Sequence, residues 1–207
     1  FEKYPSISPY TYCANNPIKY VDPTGEDKIP WFDRNAKDQK IYLQGAMNTF
    51  DDNAIHVFSH GNTKGLANDK KYTFIETPEV FDSYLSESSS RWKNRKKGDN
   101  LVVILHACHS SKFAQKLSKA FEGVTFIGAT ERVYCSKNGE VGTYKAKYVD
   151  SEGNYNRENG DGTYDKSPSN IPGSWKVYKD GKEIASYRGD WKPKEKPSLI
   201  DKLLYKE

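Results

Sequence analysis

Three short runs of apolar residues stand out against a mostly polar chain, at 54–58, 101–105 and 124–127. Each run is rich in aliphatic or aromatic residues and stops at Gly or at small residues. Continuous runs of this length are typical of strands that are buried on both faces of a parallel sheet. We therefore predict three strands of one sheet.

Helical patterns separate these runs. Thr77 and Pro78 form a good N-cap and first-turn pair, and the apolar residues at 80, 81, 84 and 85 then share one helical face. A second apolar face follows Cys108, and its members are Phe113, Ala114, Leu117, Ala120 and Phe121. The alternation of strand and helix predicts an α/β fold with a mostly parallel sheet flanked by helices.

The remaining segments carry weaker patterns. Residues 28–53 are mixed, with a strand predicted at 40–43. Residues 136–172 are polar and rich in Gly, Asn and Asp, which predicts long loops. The segment 175–185 predicts a C-terminal β-hairpin that turns at Asp180-Gly181. Residues 191–207 form a Lys/Pro-rich tail with a short amphipathic end.

Composition narrows the classes of function. The 32 Lys and Arg against 28 Asp and Glu leave a net charge of +4, too close to balance for a polycationic nucleic-acid coat. The basic run 91–97 includes Trp92 and could contact nucleic acid, but a solvated helix end is the favoured interpretation. No run approaches 18 apolar residues, so we expect no membrane-spanning helix. The chain begins at Phe1, and we expect a piece of a longer protein.

The candidate chemistry lies at the ends of two predicted strands. All four histidines fall there: His56 and His60 at the first run, His106 and His109 around Cys108 at the second. In open α/β sheets, ligands and reacting groups collect at the carboxyl ends of the strands. Four of four histidines beside one cysteine therefore indicate a site.

A cysteine nucleophile with a histidine base is the first chemistry that this set allows, through Cys108 and His60. A free thiol has a pKa of about 8.5 and is mostly protonated near neutrality. A neighbouring imidazole and the N-terminus of the helix predicted to begin at Ser110–Ser111 would both stabilise the thiolate. Gly61 has no side chain to obstruct a substrate carbonyl, so its N–H can help to form an oxyanion hole.

Two other chemistries are weaker. A zinc site is disfavoured because His56 and His60 on a strand stand about 13 Å apart. The spacing of His106, Cys108 and His109 is also awkward for one ion. A serine hydrolase using Ser110 or Ser111 lacks the glycines of a nucleophile elbow. The three cysteines form no CxxC pair, so we expect no disulfide scaffold.

The first 25 residues carry a motif of ordered Pro, Asn and Gly positions. Its parts are Ser8-Pro9-Tyr10, Tyr12, Asn15-Asn16-Pro17 and the spaced group Asp22-Pro23-x-Gly25. This segment resembles the end of the RHS repeat-associated core, the shell that encloses C-terminal toxins in bacterial polymorphic toxin systems. The resemblance implies that residues 1–27 are a shell remnant and that a toxin follows. Glu26 stands where many members carry a Leu at the self-cleavage point, so cleavage there is not carried over.

A second resemblance covers roughly residues 40–135. A strand ending in Ser59-His60-Gly61, then a strand ending in Ala107-Cys108, is similar to the two signature blocks of caspase-like cysteine peptidases. Cys108 follows His60 by 48 residues, close to the spacing of about 50 in caspases.

This resemblance implies a caspase-like toxin domain over residues 28–190. Cys108 would attack the peptide carbonyl, His60 would protonate the leaving amine, and the Gly61 and Cys108 N–H groups would hold the oxyanion. His106, two residues before the cysteine, would line the pocket for the side chain before the cut bond. A histidine there could suit an acidic or amide side chain.

Together these expectations describe a cysteine endopeptidase toxin of a polymorphic effector that needs no cofactor and no metal. The shell resemblance implies a secreted effector that is delivered into the cytoplasm of a target cell. Its expected partners are a protein or peptide substrate, a cognate immunity protein and the RHS shell. A membrane is excluded as a partner, and nucleic acid is disfavoured. The alternatives are a metal-dependent or histidine-based nuclease toxin and a non-enzymatic interaction module.

Overall fold

The computed structural model describes residues 28–32, 54–135, 141–146 and 168–190. Its strands are β1 (Lys28–Pro30), β2 (Ile55–Phe58), β3 (Leu66–Asn68), β4 (Thr73–Ile75), β5 (Val102–His106), β6 (Thr125–Ala129), β7 (Arg132–Cys135), β8 (Val141–Ala146), β9 (Pro168–Pro172), β10 (Ser174–Lys179) and β11 (Lys182–Arg188). Its helices are α1 (Pro78–Ser88), α2 (Ser90–Lys93) and α3 (Ser111–Ala120), with a short 3-10 helix at Asp69–Lys71.

A six-stranded sheet in the order β1-β2-β5-β6-β10-β11 forms the centre of the fold. Its first four strands run parallel, and β10 and β11 are antiparallel additions at one side. The three strands predicted from the apolar runs are β2, β5 and β6, and they are direct neighbours. The prediction of a mixed α/β fold with a mostly parallel sheet is confirmed.

The two faces of this sheet are packed differently. Val103 and Leu105 of β5 point to the face that carries the buried residues of α1 and α3. Val102 and Ile104, which alternate with them, point to the other face. There β7 and β8 contribute Val133 and Val141 to the apolar cluster. In the described residues, α1 and α3 thus share one face and a small second sheet lies against the other.

Both predicted helices form where expected. Thr77 caps α1 by accepting a hydrogen bond from the Val80 N–H at 3.4 Å, and Pro78 occupies the first turn. Helix α3 begins directly after Ser110 and buries Phe113, Ala114 and Leu117 against the sheet. Ala120, which the pattern assigned to the apolar face, is exposed because the helix ends there.

The predicted C-terminal hairpin is β10 and β11. Asp180 and Gly181 join the strands with φ values of 50° and 78°. Two consecutive left-handed residues define the type I′ turn, which favours Asp-Gly because its twist matches that of the strands. Trp175 and Val177 of β10 are buried in the sheet.

One prediction is wrong in part. Residues 136–172 were expected to be loops, but β8 and β9 lie within them. Strand β8 pairs with β7 and β9 pairs with β8, in a three-stranded antiparallel sheet. The strands escaped detection because their residues, such as Gly142, Thr143 and Lys145, show no apolar alternation. The predicted strand at 40–43, the shell motif of residues 1–27 and the tail 191–207 lie outside the described residues. Within the described ranges, none of the helices has the length and apolar character that crossing a membrane requires.

Candidate active site

The carboxyl ends of β2 and β5 bring His60 and Cys108 to one edge of the sheet. The two strands are parallel neighbours, and Phe58 is in register with His106. The pairing continues for one more step, with the Ser59 N–H donating to the His106 carbonyl oxygen at 3.4 Å. His60 and Cys108 each follow two residues beyond this registered pair. The structure therefore places both predicted catalytic residues where the two strands end together.

Gly61 lies close to the backbone that follows β5. A Cβ at this position would lie 2.9 Å from the Cβ of Ala107 and 3.2 Å from the carbonyl oxygen of Cys108. Neither contact leaves room for a side chain without movement of the Cys108 turn. The backbone after His60 is held in place by an antiparallel bridge from Gly61 to Leu66 and by a 2.8 Å bond from the Ala67 N–H to the His60 carbonyl.

The backbone N–H groups of Gly61 and Cys108 lie at this edge. No backbone carbonyl in the described part of the chain accepts a hydrogen bond from either of them, and the Cys108 N–H interacts with its own sulfur. Backbone amides next to a thiol could bind an anionic oxygen. These are the two amides that the caspase-like resemblance assigns to the oxyanion hole.

The Cys108 thiol is half-buried and accepts hydrogen bonds from the backbone. The Val133 N–H donates to its sulfur over 3.4 Å. Burial raises the pKa of the Cys108 thiol, while the Val133 hydrogen bond and the nearby Arg132 cation oppose that rise. The thiol is thus protonated at neutral pH in this state. A base that removes its proton is needed before the sulfur can act as a nucleophile.

His60 is exposed, and its ring meets Phe32 edge to face with 5.0 Å between ring centroids. An exposed imidazole can exchange protons with substrate and water. Phe32 follows β1, the strand next to β2, so a residue well before the catalytic blocks in sequence supports this ring.

His106 has a different environment from the one that the resemblance implied. Its side chain is 5% exposed and stacks on Phe58, with 4.4 Å between ring centroids. Its Nε2 lies 2.9 Å from the Nδ1 of His56, which is also buried. Burial, and then the neighbouring His56, hold the pKa of His106 well below its usual range. The two rings therefore form a buried hydrogen-bonded pair in which His106 is kept neutral, and the role of His106 in a substrate pocket stays a prediction.

His109 lies in the turn between Cys108 and α3. Its φ of 54° is in the left-handed region. Its N–H donates to the Glu131 carbonyl at 2.9 Å, and its Nδ1 lies 3.0 Å from the Thr130 carbonyl oxygen. His109 therefore contacts the chain that leaves β6.

The two serines after His109 are bound within the fold. The Ser110 hydroxyl donates to the Leu105 carbonyl at 3.2 Å and accepts from the Ala129 N–H at 3.0 Å. The Ser111 hydroxyl is bonded to the Tyr178 hydroxyl at 2.8 Å, and both serines are buried. These bonds tie the start of α3 to β5, β6 and β10. They leave neither serine placed as an exposed nucleophile.

Metal-binding geometry is absent from the described residues, since no three His, Cys, Asp or Glu side chains converge there. The pair of His56 and His106 uses facing ring nitrogens to bind each other.

The basic run 91–97 lies at the opposite edge of the sheet, before β5. Arg95 stacks over Trp92 at 4.0 Å and bonds to the Asp82 carboxylate at 2.8 Å. Trp92 is fully buried, and its ring N–H also donates to Asp82. Part of this run is therefore packing that joins α1 and α2, and it is remote from Cys108.

Sequence reasoning missed the corner at 130–133 that touches the thiol. This segment carries no catalytic motif, and it reaches Cys108 only because β6 is the neighbour of β5. The one available signal was that the third apolar run, like the other two, ends at the carboxyl edge.

No family model, curated protein or solved structure matches the chain.

Proposed function

We propose that the chain is a caspase-like cysteine endopeptidase and the toxin part of a bacterial RHS polymorphic effector. The observation that carries the chemistry is the parallel register of β2 and β5. Phe58 pairs with His106, and His60 and Cys108 each lie two residues after this pair. The toxin context rests on the resemblance of residues 1–27 to the RHS core.

The proposed reaction begins when His60 accepts the thiol proton of Cys108. The sulfur attacks the peptide carbonyl and forms a C–S bond, and the carbonyl oxygen takes the negative charge. The Gly61 and Cys108 amides would stabilise that charge, since no described backbone carbonyl accepts a hydrogen bond from either of them. His60 then gives its proton to the amine as the C–N bond breaks, and water hydrolyses the thioester.

The raised pKa of Cys108 fits this order of events. A protonated thiol at rest is less prone to oxidation than a permanent thiolate. Deprotonation then depends on His60 and on substrate. A cysteine nucleophile of this kind suits the reducing cytoplasm of a target cell.

The decisive variant is Cys108→Ala, because it removes the nucleophile at little steric cost. We expect peptide cleavage and toxicity to fall by about 10⁴-fold or more, as for removal of other catalytic nucleophiles. The measurement is cleavage of a peptide library by the full chain, together with labelling by an electrophilic peptide probe mapped by mass spectrometry. Cys135→Ser is the matched control, since Cys135 ends β7 and has no part in the proposed reaction.

Full toxicity of the Cys108→Ala variant would refute the peptidase proposal. Loss of toxicity with a chelator, combined with resistance to thiol alkylation, would favour the nuclease alternative. Toxicity that survives the loss of both His60 and Cys108 would favour a binding module.

A further inference from the structure

The corner formed by residues 130–133 donates a hydrogen bond to the Cys108 sulfur through the Val133 N–H. It follows β6 and includes Arg132 and Val133, the first two residues of β7. On one side it is attached to β10, because the Thr130 N–H donates to the Ser174 carbonyl and the Ser174 N–H donates to the Thr130 hydroxyl, each at 2.9 Å. On the other side it is attached to His109.

His109 holds two consecutive carbonyls of this corner. Its backbone N–H binds the Glu131 oxygen, and its ring Nδ1 binds the Thr130 oxygen. A carbonyl oxygen can only accept, so Nδ1 must carry the proton, which fixes the tautomer of the ring.

The backbone conformation alone does not account for a histidine here. His109 has a φ of 54°, and Gly or Asn adopts this left-handed conformation with less strain than most residues do. Either residue would also supply the backbone N–H that binds Glu131. What histidine adds is the ring donor to Thr130.

We propose that His109 is a positioning residue for Cys108, holding the 130–133 corner so that the Val133 N–H stays on the sulfur. This inference rests on the proposed peptidase function and extends it to a residue outside the His60–Cys108 pair. The Val133 hydrogen bond favours the thiolate over the thiol, so a corner that drifts away leaves the sulfur harder to ionise.

The test is the pH dependence of Cys108 alkylation by iodoacetamide in the full chain. Peptide mapping separates Cys108 from Cys13 and Cys135. His109→Gly keeps the left-handed backbone and removes the ring donor. We expect it to slow alkylation at pH 7 by about threefold to tenfold and to move the pH midpoint upward, as expected for one lost hydrogen bond. The kcat for peptide cleavage should fall by a similar factor while KM stays unchanged.

His109→Asn is the matched variant, because it tolerates the same φ and retains an amide donor. Its alkylation profile should lie closer to that of the wild-type chain than the profile of His109→Gly does. A His109→Gly profile that coincides with the wild-type profile would overturn the proposal.

If His109→Gly does not fold, the ring tautomer in the wild-type chain decides the question. Nitrogen-15 NMR of the histidine ring should show Nδ1–H, and an Nε2–H tautomer would overturn the proposal. Alkylation does not require peptide cleavage, so the two proposals fail separately. If the wild-type chain cuts no peptide but His109→Gly still slows the alkylation of Cys108, the peptidase proposal fails and the positioning role of His109 stands.

Discussion

His56 and His106 lie inside the sheet, whereas His60 and His109 lie at its carboxyl edge. In sequence, the histidines group as His56 with His60 and as His106 with His109, one group at each strand end. The structure regroups them, taking one member of each group into the interior and leaving the other at the edge. The interior pair share a hydrogen bond between buried rings. At the edge, His60 follows β2 by the same number of residues as Cys108 follows β5, and His109 lies in the turn directly after Cys108.

Strand geometry explains the regrouping. His56 and His106 fall within β2 and β5, where side chains alternate between two packed faces. His60 and His109 come after the last paired residues, where the backbone turns and side chains reach solvent or neighbouring turns. A difference of three or four residues therefore separates a structural histidine from a candidate catalytic one.

The largest effect that tests this contrast is the loss of His60. His60→Gln should lower peptide cleavage by about 10²- to 10⁴-fold, the usual contribution of a general acid–base group. The free energy of unfolding should stay unchanged because the side chain is exposed. The measurements are kcat/KM and urea denaturation, with Lys64→Ala in the same exposed loop as the control. A His60→Gln chain that cuts at the wild-type rate would contradict the proposed role of this edge.

The same change at His106 should have the opposite signature. His106→Gln removes the buried contact to His56 and the stacking on Phe58, and we expect it to lower the free energy of unfolding by about 1–3 kcal/mol. The rate of peptide cleavage per folded molecule should not change, and neither should the preference for the side chain before the cut bond. Urea denaturation and a peptide library measure both. A changed cleavage preference at unchanged stability would instead support the pocket role implied by the caspase-like resemblance.

The smallest effect is a pH dependence of stability. The pKa of His106 is lowered in the folded chain, so below about pH 6.5 the unfolded chain binds a proton that the folded chain does not. Stability is fully present above that pH and decreases as the pH falls towards the lowered folded pKa. The slope contributed by one such group is at most about 1.4 kcal/mol per pH unit.

Urea denaturation between pH 7 and pH 5 measures this slope. The same measurement on His106→Gln separates the contribution of His106 from that of the carboxylates, which titrate in the wild-type protein and in the variant alike. Equal slopes in the two chains would show that His106 is not buried in its neutral form.

Much of the framework could be predicted because it depends on local patterns. The apolar runs became β2, β5 and β6, the Thr77-Pro78 signal became the start of α1, and Asp180-Gly181 became the hairpin turn. In each case, a few adjacent residues are enough to determine the local structure. Strands β8 and β9 were missed because their stability comes from pairing, β8 with β7 and β9 with β8, and their own residues lack alternation.

The candidate site divides in the same way. The order of residues along the chain was enough to bring His60 and Cys108 to one edge, because parallel strands end on the same side of a sheet. It could not tell that His106 packs against His56 and Phe58, or that Ser110 and Ser111 are bound within the fold. Those facts depend on which face each side chain occupies and on what covers that face.

The sequence by itself determined strands β2, β5 and β6, the C-terminal hairpin, helices α1 and α3, and the positions of the candidate nucleophile and base along the chain. It could do so because apolar runs, capping residues and turn residues act over a few neighbours. Only the tertiary structure decided that Val133 donates to the Cys108 sulfur, that His109 holds the corner carrying Val133, and that burial raises the pKa of the thiol. These contacts join residues more than 20 positions apart, and only the adjacency of β5 and β6 brings them together.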